Sequence, residues 1–148
     1  DAFAGEENMF RMALTFGGHP VVAAAALKNI EIIESEGLVQ NSAQMGEYTL
    51  GQLRMLMEDH PIVGDVRGLG LLMSVELVSD RKTKAALPDD LNVGERLNEV
   101  FRRRGLLLWS SGQSIDLTPP LCITRSEMDE ILNVIDDALG EVEKELSM

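Results

Sequence analysis

The C-terminal stretch sets the terms for any fold this chain can adopt. Thr124 and Glu127 have capping-box spacing. Met128, Ile131, Leu132, Ile135, Leu139, Val142 and Leu146 then recur at helical spacing over several turns. A stripe of that length needs a second layer to bury against. The opposite side of the helix carries Asp129, Glu130, Asp136, Asp137, Glu141, Glu143 and Glu145 and reads as a solvated face. The second layer shows at 71–78, where Met73, Val75 and Leu77 alternate with Ser74 and Glu76. That alternation marks a strand in a sheet that is wet on one side.

The remaining segments follow from punctuation. Thr15-Phe16-Gly17-Gly18 reads as a permissive loop. A helix is expected from His19-Pro20 through Ala23-Ala24-Ala25-Ala26 to about Ser35, stopped at Gly37, with Lys28, Glu31 and Glu34 on its wet face. A second runs from Leu38 to Asp59, with Gly46, Leu50, Leu53 and Met57 in period, and His60-Pro61 ends it. Residues 62–70 read as glycine turns leading into the strand at 71–78, and 80–90 as a polar loop. A third helix spans 92–104 on the stripe Val93, Leu97 and Val100, closed by Gly105. Leu106 to Trp109 reads as a short buried strand, Ser110 to Gln113 as a turn, and Ser114 to Thr118 as its antiparallel partner. The order implies an α+β fold, a mainly antiparallel small sheet with helices packed on one face.

Composition narrows the function classes. With 45% apolar and 26% charged residues, the 148-residue chain has globular, not disordered, composition. Its net charge of −12 opposes nucleic-acid and membrane-surface binding. The dense basic run Arg102-Arg103-Arg104 reads as complement to a helix C-terminus. One cysteine, Cys122, permits no intrachain disulfide and reads as a buried structural residue. Together with the lack of a signal-peptide pattern in residues 1–20, this favours a reducing, cytoplasmic setting. The chain opens on Asp1 without an initiator Met, so a fragment or cleaved product is expected.

Little local chemistry is encoded. His19 and His60 are the only histidines, too far apart in sequence for a zinc motif. No G-x-S-x-G elbow exists, and Gly68-Leu69-Gly70 precedes a strand where a dinucleotide loop would follow one. Thr15 beside two glycines and a helix N-terminus has two readings, an anion site or a capped helix entry.

The segment Thr15-Phe16-Gly17-Gly18-His19-Pro20, continuing to Leu27, resembles the T-[FY]-x-G-H-P-x-x-x-A-A-A-L motif of class III aminotransferases. Val66-Arg67-Gly68-Leu69-Gly70-Leu71 is similar to that family's V-R-G-x-G-L-M strand entry. Arg104-Gly105-Leu106-Leu107-Leu108, Gly112 and Pro119-Pro120-Leu121-Cys122-Ile123-Thr124 resemble its R-G-L-L…G…P-P-L-x-I-T segment, and Glu127-Met128-Asp129 fits the E-[ILM]-D opening of its last helix.

The resemblance implies the C-terminal small domain of a fold type I, pyridoxal-phosphate-dependent enzyme. That enzyme would act as a homodimer and move an amino group between an amine or amino acid and a keto acid. It places residues 1–18 on the large-domain side, 19–36 as the connecting helix and 37–148 as the small domain. It assigns Thr15 to the cofactor phosphate of the neighbouring subunit and Phe16 to a position beside that phosphate and the substrate entrance. Arg67 matches a position that braces the turn before the strand. Trp109 falls where many family members carry a carboxylate-binding arginine. It either lines a more apolar substrate pocket, shifting preference or recruiting another cation, or packs as a strand-end aromatic in the core. None of Lys28, Lys82, Lys84 and Lys144 matches the family's Schiff-base lysine, so no catalytic residue is assigned here and the segment alone is expected to be inactive. A non-catalytic interaction or dimerisation module with the same fold is the alternative.

Overall fold

The computed structural model describes residues 14–146. The chain divides into two compact units, Asp1–Glu36 and Gly37–Met148. The first contains helix α1 (Pro20–Ser35), none of whose residues is buried. Val21, Val22, Leu27 and Ile30 are among its exposed residues.

The second unit contains α2 (Leu38–Asp59), β1 (Val63–Leu69), β2 (Leu72–Leu77), α3 (Val93–Arg103), β3 (Trp109–Ser110), β4 (Ser114–Leu117) and α4 (Arg125–Leu146). Its four strands form one antiparallel sheet in the order β1-β2-β4-β3. The core lies between one sheet face and the helices. Met73, Val75, Leu77, Ile115 and Leu117 are buried with Leu53 of α2, Leu97 and Phe101 of α3, and Met128, Ile135 and Leu139 of α4. The opposite face carries a cross-strand row, Arg67, Ser74, Asp116 and Trp109. Fold class and the wet-faced β2 strand are therefore as the alternation implied.

Three expectations are corrected. Residues 63–69, taken for turns, form β1. Its glycines weaken the pattern, and a bulge lies between Val63 and Asp65. Gly64 sits there because a Cβ would lie 2.6 Å from the Val78 methyl groups. Arg67 accordingly braces the hairpin and not a preceding turn, donating to Asp65 at 2.8 Å and to Glu76 at 2.6 Å. Leu106 to Trp109 is not a buried strand: only Trp109–Ser110 pairs, and Leu107 is 91% and Trp109 71% exposed. The run lies at the sheet edge, where apolar composition alone does not guarantee burial.

The third correction concerns α4. The capping box forms as expected: Thr124 donates from its backbone to Glu127 at 2.8 Å, and Glu127 donates from its backbone to Thr124 Oγ1 at 3.3 Å. Its acidic side, however, is largely engaged. Asp129 accepts from Tyr48 at 2.5 Å, Asp137 meets Arg104, Glu141 meets Arg103 and Glu145 meets Arg96. The arginine run thus crosses to α4 as well as closing α3.

The tightest engagement involves His60. It is buried at the α2–β1 junction, with Nδ1 2.7 Å from Glu143 and Nε2 2.7 Å from Asp136. Glu143, itself buried, also accepts the Ile62 N–H at 3.2 Å. The Arg81 guanidinium donates to the carbonyls of Met57, His60 and Val63, fixing the same junction from the other side. Burial opposes the charged imidazolium, but the hydrogen bonds and charges of Glu143 and Asp136 outweigh it, and the His60 pKa is raised.

The pH dependence follows from that direction. A raised folded-state value gives stability that is complete below the ordinary histidine value of 6.5 and is lost as pH rises through the folded-state value. Urea unfolding across a pH series should show this decline for the native chain. His60→Gln should remove it and cost about 3 kcal/mol at pH 6, because Glu143 is left buried without its partner.

Candidate functional site

Two regions hold the residues singled out by sequence, one in each unit. In the first unit, two successive turns wrap residues 14–19: Gly17 donates to Leu14 at 3.0 Å and His19 to Phe16 at 3.1 Å. Gly18 has φ 78°, a conformation that favours glycine. Thr15 and Phe16 stand side by side on this turn, both exposed, Phe16 by 75%. The Phe16 ring meets the His19 ring edge-on at 6.4 Å.

The capped-entry reading of Thr15 is not what forms. His19 is the N-cap of α1, extended at φ −61° and ψ 125°, and no side chain caps the helix. Its carbonyl opens the helical ladder by accepting from Ala23 at 2.9 Å. Pro20 occupies the first turn, which contains no acidic residue. First-turn N–H groups have no intrahelical partner and carry the positive end of the helix dipole. A Thr hydroxyl near such a terminus, with no carboxylate in that turn, suits an anion.

In the second unit, Trp109 opens β3 and borders a cleft of about 420 Å³ with Asn98, Arg102, Leu107 and Leu108. Its cross-strand neighbour on the outer face is Asp116, which accepts from Ser74 at 2.7 Å. With 71% of its surface exposed, Trp109 does not pack in the core of this unit, so that alternative is corrected. Helix α3 supports it from behind. A Cβ on Gly94 would lie 2.6 Å from the Gly112 nitrogen, so helix and turn touch backbone to backbone. One turn later, Asn98 reaches Ser110. Sequence reading missed both, because neither a lone glycine nor a lone amide within a helix has a distinguishing pattern.

Cys122 is exposed, against the expectation of a buried structural thiol. A turn in which Ile123 donates to Pro120 at 3.0 Å sends Ile123 into the core and leaves Leu121 and Cys122 outside. Among the described residues, no group of His, Cys, Asp and Glu side chains could hold a metal ion. No helix among them is long and apolar enough to cross a membrane.

Comparison with known proteins supplies the context. The family model described as aminotransferase class-III matches residues 2–139. A taurine–pyruvate aminotransferase of Bilophila wadsworthia is 38% identical over 152 residues, covering 98% of this chain and 33% of that protein. An (S)-enantioselective omega-transaminase from Thermomicrobium roseum superposes with a TM-score of 0.84 at 38% identity, over 90% of this chain and 30% of that one. An amine transaminase from an uncultivated Pseudomonas species, solved in its PLP-bound form, gives 0.85 at 36% identity over 94% and 31%. The chain thus spans about a third of the length of the curated relatives it matches.

The contact behind Trp109 has a measurable consequence. Gly94→Ala should force α3 and the 110–113 turn apart, costing about 1–3 kcal/mol as overpacking. Urea unfolding gives the cost, and the emission of Trp109, the chain's single tryptophan, should shift with it.

Proposed function

Since the chain belongs to the class III aminotransferases, we propose that it forms the C-terminal portion of a pyridoxal-phosphate-dependent transaminase. That enzyme transfers an amino group between an amine or amino acid and a keto acid. The observation that carries this reading is the exposed turn at 15–18, placed before an uncapped, acid-free helix start. A phosphate dianion suits it: the Thr15 hydroxyl can donate, and the N-terminus of α1, with its free first-turn N–H groups, follows a few residues later. When bound, pyridoxal phosphate supplies the electron sink for amino transfer.

The chain's own residues then have distinct tasks. Thr15 binds the phosphate of cofactor held in the neighbouring subunit of a homodimer. Phe16, beside it, shields that phosphate and shapes the substrate entrance. Trp109 walls the substrate pocket. It cannot form the paired hydrogen bonds that an arginine gives a carboxylate, which favours substrates with an apolar or aromatic group there. No lysine here is assigned catalysis; that group is supplied by the large domain. Residues 1–18 lie on the large-domain side, 19–36 connect, and 37–148 form the small domain. The cytoplasm is the proposed location.

The exposed apolar residues of α1 also favour a second reading, a dimerisation module without catalysis. One set of measurements separates the two. In the intact enzyme, Thr15→Ala should raise the dissociation constant for pyridoxal phosphate about tenfold, as expected for one lost hydrogen bond to a charged group. kcat at saturating cofactor should change little. The 148-residue chain alone should show no turnover. Turnover by this chain alone would contradict the assignment of the lysine, and self-association without cofactor affinity in the intact protein would favour the second reading.

A further inference from the structure

We infer that Asn98 is the positioning residue for Trp109, and through it sets which substrates the pocket accepts. The inference rests on the reading of Trp109 as a pocket wall. β3 is two residues long and stands at the sheet edge. Along an antiparallel strand, alternate residues direct their N–H and C=O groups to opposite sides. Trp109 and Ser110 pair with Asp116 and Ile115 of β4 in that register.

Ser110 would leave its backbone groups on the open edge, where a short strand frays. Asn98 occupies that edge. Its Nδ2 donates to the Ser110 carbonyl at 2.9 Å, and its Oδ1 accepts the Ser110 N–H at 2.8 Å. The side-chain amide thus presents the donor–acceptor pair that a fifth strand would present. Ser110 is 2% exposed, so water cannot readily take over these bonds. The Ser110 hydroxyl accepts from the Gly112 N–H at 3.2 Å, extending the same hold into the turn.

Trp109 is held through its backbone, which pairs with Asp116 of β4, and not by a hydrogen bond of its side chain. Its side chain projects from the face opposite the core, and its orientation follows from the backbone on which it stands. Fixing Ser110 fixes the peptide that joins it to Trp109. α3 itself is anchored by buried Leu97 and Phe101 on either side of Asn98. On the edge that β4 leaves open, the position of the pocket wall is therefore set from the core through the Asn98 amide.

The test uses a change of similar shape. Asn98→Leu keeps the branched outline, with bulkier methyl groups, and removes both hydrogen bonds. In the 148-residue chain, Trp109 is the sole tryptophan, so its steady-state fluorescence anisotropy reports this site alone. Asn98→Leu should lower that anisotropy while the far-UV circular dichroism stays native. In the intact enzyme it should raise KM several-fold for an arylalkylamine and leave kcat and the KM of a short amine near their native values. Once Trp109→Ala is present, Asn98→Leu should add nothing.

Should Asn98→Leu fail to fold, Asn98→Asp serves. It keeps the acceptor, loses the donor, and should give intermediate anisotropy and KM. Native anisotropy and KM in the variant that folds, alongside a clear effect of Trp109→Ala, would overturn the role of Asn98. If Trp109→Ala itself left every KM unchanged, the pocket reading would fail first, and the specificity role of Asn98 with it.

Discussion

A histidine held between two carboxylates joins the halves of the second unit. His60 ends α2 just before β1, while Asp136 and Glu143 lie two turns apart on α4. With a carboxylate at each ring nitrogen, the protonated ring is favoured over the neutral one, because only it can donate on both sides. Glu143 uses its second oxygen on the Ile62 N–H, so one buried carboxylate serves a side chain and a backbone donor. A buried ion pair is weak evidence of net stability, since desolvation offsets attraction. Its value here is directional. Apolar burial would tolerate α4 sliding along the sheet, whereas this hydrogen-bonded set admits one register.

The Trp109 end of the unit depends on that register. α4 and α3 pack together, with Arg103 and Arg104 reaching Glu141 and Asp137. Such exposed pairs each contribute little, but they favour one alignment of the two helices. α3 in turn touches the turn at Gly112 through Gly94 and holds Ser110 through Asn98. The order of dependence runs from α4 to α3 to β3, ending at Trp109. The side chain proposed to meet substrate is thus the most exposed part of a chain of contacts that begins in the core.

Legibility in the sequence followed the range of the interactions. α4 could be read because its cap and stripe are local, and β2 because alternation is local. β1 was concealed by Gly64, Gly68 and the charges of Asp65 and Arg67, since its pairing depends on β2. The acidic side of α4 is largely exposed, as a solvated face implies, but the burial of Glu143 and the partners of its neighbours were hidden for the same reason. Nothing near Asp136 or Glu143 in sequence signals a histidine about eighty residues earlier. Leu106 to Trp109 and Cys122 were placed inside on composition alone, and chain topology put Leu107, Trp109 and Cys122 outside. The turn at Thr15–Gly18 was visible as a loop, but its uncapped helix start became clear only from the backbone of His19.

The central claim is that the Thr15 turn meets the phosphate of a cofactor belonging to another subunit. A crystal structure of the intact protein with pyridoxal phosphate bound tests it most directly. The account predicts the Thr15 hydroxyl within hydrogen-bond distance of a phosphate oxygen across the subunit interface, with Phe16 alongside. A phosphate held entirely by other residues, with Thr15 facing solvent or packed inside its own subunit, would contradict it.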